Sequence, residues 1–105
     1  HLRHIDYRYR IKTLIRSFRC ADTQALFETG KTRRWQAIRH VAERKLAQLD
    51  AAATLEFLRA PPGNRLEALQ GSRAGQHSIR INDQWRVCFY WTEAGPEDVE
   101  IVDYH

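Results

Sequence analysis

The chain has 105 residues, with 17 Lys plus Arg against 13 Asp plus Glu, a formal net charge of +4. A hydrophobic fraction of 43% and three Trp residues exclude a disordered polymer and suit one domain with a modest core. No apolar run approaches a membrane span and no signal peptide is visible, so a cytoplasmic protein with no membrane partner is expected.

The first ten residues, HLRHIDYRYR, hold Arg3, Arg8 and Arg10 against Asp6, a charge of +3 − 1 = +2. They are read as an N-terminal extension or cloning remnant, and residues 11–105 as a single domain that keeps the other +2. Ile11, Leu14, Ile15 and Phe18 make residues 11–18 a first strand. Asp22 and Thr23 are N-cap types ahead of a short helix over 24–29, which Gly30 stops. Lys31, Arg33 and Arg34 follow in a basic connector. Trp35, Ile38, Ala42, Leu46 and Leu49 recur at spacings of three and four and predict an amphipathic helix over about 33–49, which Asp50 ends. Leu55 and Leu58 mark a third, short helix over 52–58, closed by Pro61-Pro62-Gly63.

Beyond Asn64 the period becomes that of a strand. Residues 65–69 form a short strand, and 70–75 a glycine-flanked loop. Ile79 and Ile81 alternate with Ser78 and Arg80 over 77–81. Trp85, Val87, Phe89 and Trp91 share one face of the next strand, with Arg86, Cys88 and Tyr90 on its reverse. A Gly-Pro turn over 92–97 leads to a last strand from about 98 to 104. The fold class is therefore α+β, a mostly antiparallel sheet of four to five strands with an N-terminal helical hairpin packed on one face.

Cys20 and Cys88 are far apart and match no metal spacing, so two reduced thiols are expected rather than a disulfide, and no His/Cys cluster suggests a metal or cofactor. The serines lack a nucleophile elbow, and no phosphate-binding glycine fingerprint is present. The chemistry the residues can support is metal-free RNA cleavage. There the 2′-hydroxyl is the nucleophile, and the protein needs a base, an acid and cations for the phosphorane-like charge. Asp103, Tyr104, His105, Arg86 and Glu67 supply those types, and neighbouring strands can bring them together. On residue chemistry alone the last three residues suit a solvated tail better than a site, Glu67 a solvent-side strand residue, and Lys31–Arg34 a solvated connector.

Six segments resemble one known family: Ile15-Arg-Ser-Phe18, Leu26-Phe-Glu-Thr-Gly30, Leu66-Glu-Ala-Leu-Gln-Gly71, Gly75-Gln-His-Ser-Ile79, Asn82-Asp-Gln-Trp-Arg-Val87 and Asp103-Tyr-His105. The sequence is similar over 11–105 to the HigB-type toxins, or plasmid-maintenance killer proteins, of the RelE-like toxin–antitoxin superfamily. The resemblance implies the RelE-like fold and a ribosome-dependent endoribonuclease that cuts mRNA in the decoding site. It implies that Asp103 and His105 take part in proton transfer, that Tyr104 stacks on or positions a base, and that Arg86 steadies the scissile phosphate. Arg73 in the glycine loop, with Arg80, Lys31, Arg33 and Arg34, is expected to bind RNA backbone. The implied partners are a helix-turn-helix antitoxin, through which alone operator DNA is contacted, and the ribosome with its mRNA. The sequence departs from the family at Glu67 and Gln70, where members often carry His and Lys. A carboxylate can take a proton but brings no imidazolium charge. The alternative is a toxin-like protein that binds without cleaving, as a gyrase poison or a ribosome binder.

Overall fold

The computed structural model describes residues 14–104. Two α-helices, α1 (Ala21–Thr29) and α2 (Arg39–Ala51), precede four strands: β1 (Glu67–Ala68), β2 (His77–Arg80), β3 (Trp85–Thr92) and β4 (Gly95–Asp103). The strands lie side by side in chain order, and every neighbouring pair is antiparallel. Ile79 faces Val87, and Val87 faces Ile101. Alternation puts these three on one side of the sheet, and α1 and α2 cover them. Leu26 of α1 and Ala42, Leu46 and Leu49 of α2 complete a fully buried core with Trp35, Leu58, Phe89 and Val99. Buried Thr23 pins α1 to β4, its Oγ1 accepting from the Ile101 N–H at 3.1 Å.

Several expected elements end differently, for physical reasons. The described part of the first strand, 14–18, runs extended beside β4 and makes a single parallel bridge, Phe18 to Val99. Its bonds to β4 include Arg16 N–H to the Pro96 carbonyl, Val99 N–H to the Ser17 carbonyl and Asp98 N–H to the Ser17 hydroxyl. On its other edge β4 carries a β-bulge in its ladder with β3: register shifts between Cys88 and Tyr90, and Asp98 turns left-handed at φ 52°. Helix α2 starts at Arg39 rather than near 33, because Trp35 leaves helical geometry (φ −124°, ψ 37°) to bury its indole edge-on against Trp85, 6.1 Å between centroids. A 3₁₀ turn, Gln36–Ile38, bridges the gap, so the expected helical hairpin is a looser pair of helices. Asp50 does not end the helix; its carboxylate accepts from the Ile15 N–H at 2.8 Å. The third helix is a 3₁₀ turn, Leu55–Arg59, capped by the Thr54 hydroxyl. Strand β4 begins at Gly95, ahead of the expected start, with Glu93-Ala94 as a two-residue hairpin turn. Among the described residues no helix is long and apolar enough to cross a membrane, and both cysteines are free thiols.

Candidate active site on the open face of the sheet

The face of the sheet away from the helices carries Ser78, Arg86 and Cys88, which are buried although no helix covers them. Their cover is the segment 65–76, which crosses this side. Gly75 lies against the Tyr90 ring, and the Arg73 guanidinium reaches Glu100 at 3.1 Å and Gln76 at 3.0 Å. In register, Glu67 on β1 opposes Ser78 on β2, which opposes Cys88 on β3, which opposes Glu100 on β4. This row spans the sheet, and Arg86 stands one same-face step from it.

Arg86 is 7% exposed and tightly held. Its Nε donates to the Ser78 hydroxyl at 2.8 Å and its Nη2 to the Arg65 carbonyl at 2.7 Å. The same Nη2 is 3.7 Å from the half-exposed Glu67 carboxylate. The guanidinium carbon lies 5.6 Å from the centre of the Tyr104 ring, which is 38% exposed. Tyr104 is fixed by its backbone N–H, which donates to the Gln84 carbonyl at 2.7 Å. A half-exposed carboxylate, a fixed and mostly covered guanidinium and an exposed phenol thus meet on the face away from the helices. Such a set can take a proton, hold phosphate oxygens and stack on a base.

The other expected residues are distributed as follows. Asp103 pairs in register with Trp85, so alternation sets it on the opposite side from Arg86, where its Oδ2 accepts from Gln84 Nε2 at 3.0 Å. His105 lies outside the described residues. Arg80 pairs in register with Arg86, but its guanidinium turns to Asp83. Arg73 is on the face but engaged by Glu100, whose hydrogen bond raises its already high pKa. Arg19 approaches the same carboxylate at 3.9 Å. Lys31, Arg33 and Arg34 stand on the connector before α2; Arg34 reaches Asp22 at 3.4 Å and lies over the Trp35 ring at 4.7 Å.

Three members of the site were not read from the sequence. Ser78 and Glu100 look like ordinary polar strand positions, and the Arg65 carbonyl depends on a left-handed residue (φ 45°, ψ 58°) that no glycine announces. The signal available for Ser78 and Glu100 was their place on the Arg86 side of alternating strands. Cys88 is buried on the same face, and burial pushes its thiol up to about 11, so it is protonated at neutral pH and does not serve as a thiolate nucleophile. Among the described residues no group of three or more His, Cys, Asp or Glu is arranged to hold a metal ion.

The fold is that of a small RelE-like toxin domain. A solved structure of the YoeB dimer from Staphylococcus aureus superposes with a TM-score of 0.56, covering 90% of this chain and 98% of that one at 17% identity; at that identity the likeness shows the fold alone. The sequence model for the RelE-like toxin HigB of type II toxin–antitoxin systems matches residues 16–105, and the chain belongs to this HigB-like toxin family. It is 47% identical over 57 residues to Toxin HigB-1 of Vibrio cholerae, a match covering 54% of this chain and 60% of the relative. It is also 39% identical over 49 residues to an uncharacterized protein of Haemophilus influenzae, covering 47% of this chain and 48% of that one. The matched stretches thus span about half to three-fifths of these relatives' lengths.

Proposed function

We propose that this protein is the toxin of a type II toxin–antitoxin pair and acts as an endoribonuclease that cuts mRNA on the ribosome. Residues 11–105 would be the functional domain. The observation that carries the reading is the meeting of Glu67, Arg86 and Tyr104 on the face away from the helices, with the Arg86 fork held at Nε and Nη2. Membership of the HigB-like toxin family supports it independently.

In this mechanism the RNA lies across the open face. A carboxylate, Glu67, takes the proton of the 2′-hydroxyl as its oxygen attacks the adjacent phosphorus. Arg86 faces the non-bridging oxygens and steadies the charge that grows on them. Tyr104 stacks on a neighbouring base and holds the strand in line. His105 gives a proton to the departing 5′-oxygen. The products are a 2′,3′-cyclic phosphate and a 5′-hydroxyl, and no metal enters the steps. Arg73, Arg80, Lys31, Arg33 and Arg34 bind RNA backbone, Arg73 and Arg80 by exchanging their carboxylate partners for phosphate. A helix-turn-helix antitoxin neutralises the toxin in the cytoplasm and makes the operator contacts.

Primer extension on a message under translation tests the reading, with wild type, His105→Ala and Glu67→Ala in parallel. Ribosome-dependent cuts that disappear with His105→Ala and fall with Glu67→Ala are expected. Intact mRNA in every lane, with folded protein, overturns cleavage and favours a toxin that acts by binding.

A further inference from the structure

Arg86 does not hold itself. Its Nη2 rests on the Arg65 carbonyl, and Arg65 has the left-handed backbone that a side-chain-bearing residue rarely adopts. Such a conformation persists only where the surroundings over-determine it. The residue before it, Asn64, is completely buried, with both ends of its side-chain amide bonded. Its Oδ1 accepts from Lys45 Nζ. Its Nδ2 donates to the Gln48 side chain and to the Leu58 carbonyl, each at 3.1 Å, and its backbone N–H donates to the Pro61 carbonyl at 3.1 Å. Lys45 is itself buried, and burial, then the charges of Arg44 and Arg80, lower its pKa below the ordinary lysine value. A buried cation and a buried amide are costly to maintain in a small core for packing alone, since apolar side chains would fill the same space. Their connection leads outward instead, from α2 through Asn64 to the Arg65 carbonyl and so to Arg86.

We propose that Asn64, fastened to α2 by Lys45 and Gln48, is a positioning residue for Arg86. It holds the Arg65 carbonyl where it orients the guanidinium fork toward the open face. The inference rests on the role given to Arg86 above, but not on cleavage being the outcome. Residues 64 and 45 touch no substrate; they act through one backbone carbonyl.

The test uses Asn64→Ala and Lys45→Met in the full chain, below the unfolding temperature of each. Lys45→Met keeps the aliphatic stem and remains available if Asn64→Ala does not fold. The first readout is the 15N–1H signal of the Arg86 side chain, assigned by its loss in Arg86→Met. Both variants are expected to shift the signal and to speed its hydrogen exchange about tenfold or more, while the Arg59 side-chain signal stays in place. The second readout is single-turnover cleavage of ribosome-bound mRNA. Each variant is expected to lose about tenfold to a hundredfold when Arg86 is present, the scale of a misplaced catalytic group, and to cause no further loss in an Arg86→Met background. An unmoved Arg86 signal, or an equal rate loss with and without Arg86, overturns the proposal. If the wild-type protein does not cleave at all, the function proposed above fails, and the Arg86 signal alone decides the positioning claim.

Discussion

Ser78→Ala isolates one contact of the site. The hydroxyl accepts from Arg86 Nε at 2.8 Å, and both residues are buried. Removing it leaves a charged donor without its partner, in a place where water does not reach freely. Hydrogen bonds to charged groups contribute about 1.5–3 kcal/mol, and an orphaned buried donor costs at least as much. Alanine itself suits the space, because Ser78 sits in a short strand between β1 and β3 with full cover. A loss of about 2 kcal/mol is therefore expected, which for a domain of this size lowers the melting temperature by roughly 8–16 °C. Urea unfolding of four proteins measures it: wild type, Ser78→Ala, Arg86→Met and the double variant. In the Arg86→Met background no charged donor remains, so Ser78→Ala should cost less than about 0.5 kcal/mol. An equal cost in both backgrounds would show that Ser78 matters to packing rather than to Arg86, and would refute the reasoning.

Three further outcomes follow from the same structure. Cys88 has a thiol raised from 9.0 to about 11 in the folded state, so the fold binds more protons than the unfolded chain across that interval. Its contribution is fully present below pH 9 and is lost as pH rises toward 11, by at most about 3 kcal/mol at ~1.4 kcal/mol per unit; Cys88→Ala should flatten this part of a stability-against-pH curve, and an unchanged slope contradicts the assignment. Gly95 opens β4 at φ 128°, and a Cβ there would come within 2.5 Å of the Leu14 carbonyl, so Gly95→Ala should cost about 2–4 kcal/mol in chemical unfolding, and a neutral effect would contradict the close approach. Thr23→Val removes the oxygen that accepts the Ile101 N–H and should cost about 1–2 kcal/mol, with earlier hydrogen exchange at Ile101 than at Val87 as its mark.

The sheet was the legible part of the fold. Ile79 and Ile81 alternate, as do Trp85, Val87, Phe89 and Trp91, and a period of two admits one reading when one side must be buried. Arg86 was assigned to the correct strand and the correct side by that argument alone. The N-terminal half was read less well because its cues compete with tertiary contacts. Trp35 keeps the helical spacing of Ile38 and Ala42, yet its indole is buried against Trp85 and the helix starts four residues later. Residues 14–18 have strand composition, but they join β4 through one isolated bridge, Phe18 to Val99. Sequence proximity also misled at the chain's end. Asp103 and Tyr104 are neighbours in the chain, and strand alternation sends them to opposite sides of the sheet, only Tyr104 to Arg86. The hold on Arg86 was invisible, since a left-handed Arg65 and a bonded Asn64 are products of packing that no local pattern encodes.

The central claim is that the open face around Arg86 cleaves RNA through the 2′-hydroxyl. The most direct measurement is end analysis of a ribosome-bound message cut by wild type and by Arg86→Met, beside a message carrying a single 2′-deoxy nucleotide at the cut position. The account predicts 2′,3′-cyclic phosphate ends with wild type, a rate loss of about a hundredfold or more with Arg86→Met, and no cut at the deoxy position. Undiminished cleavage by Arg86→Met, or a cut at the deoxy position, would contradict it.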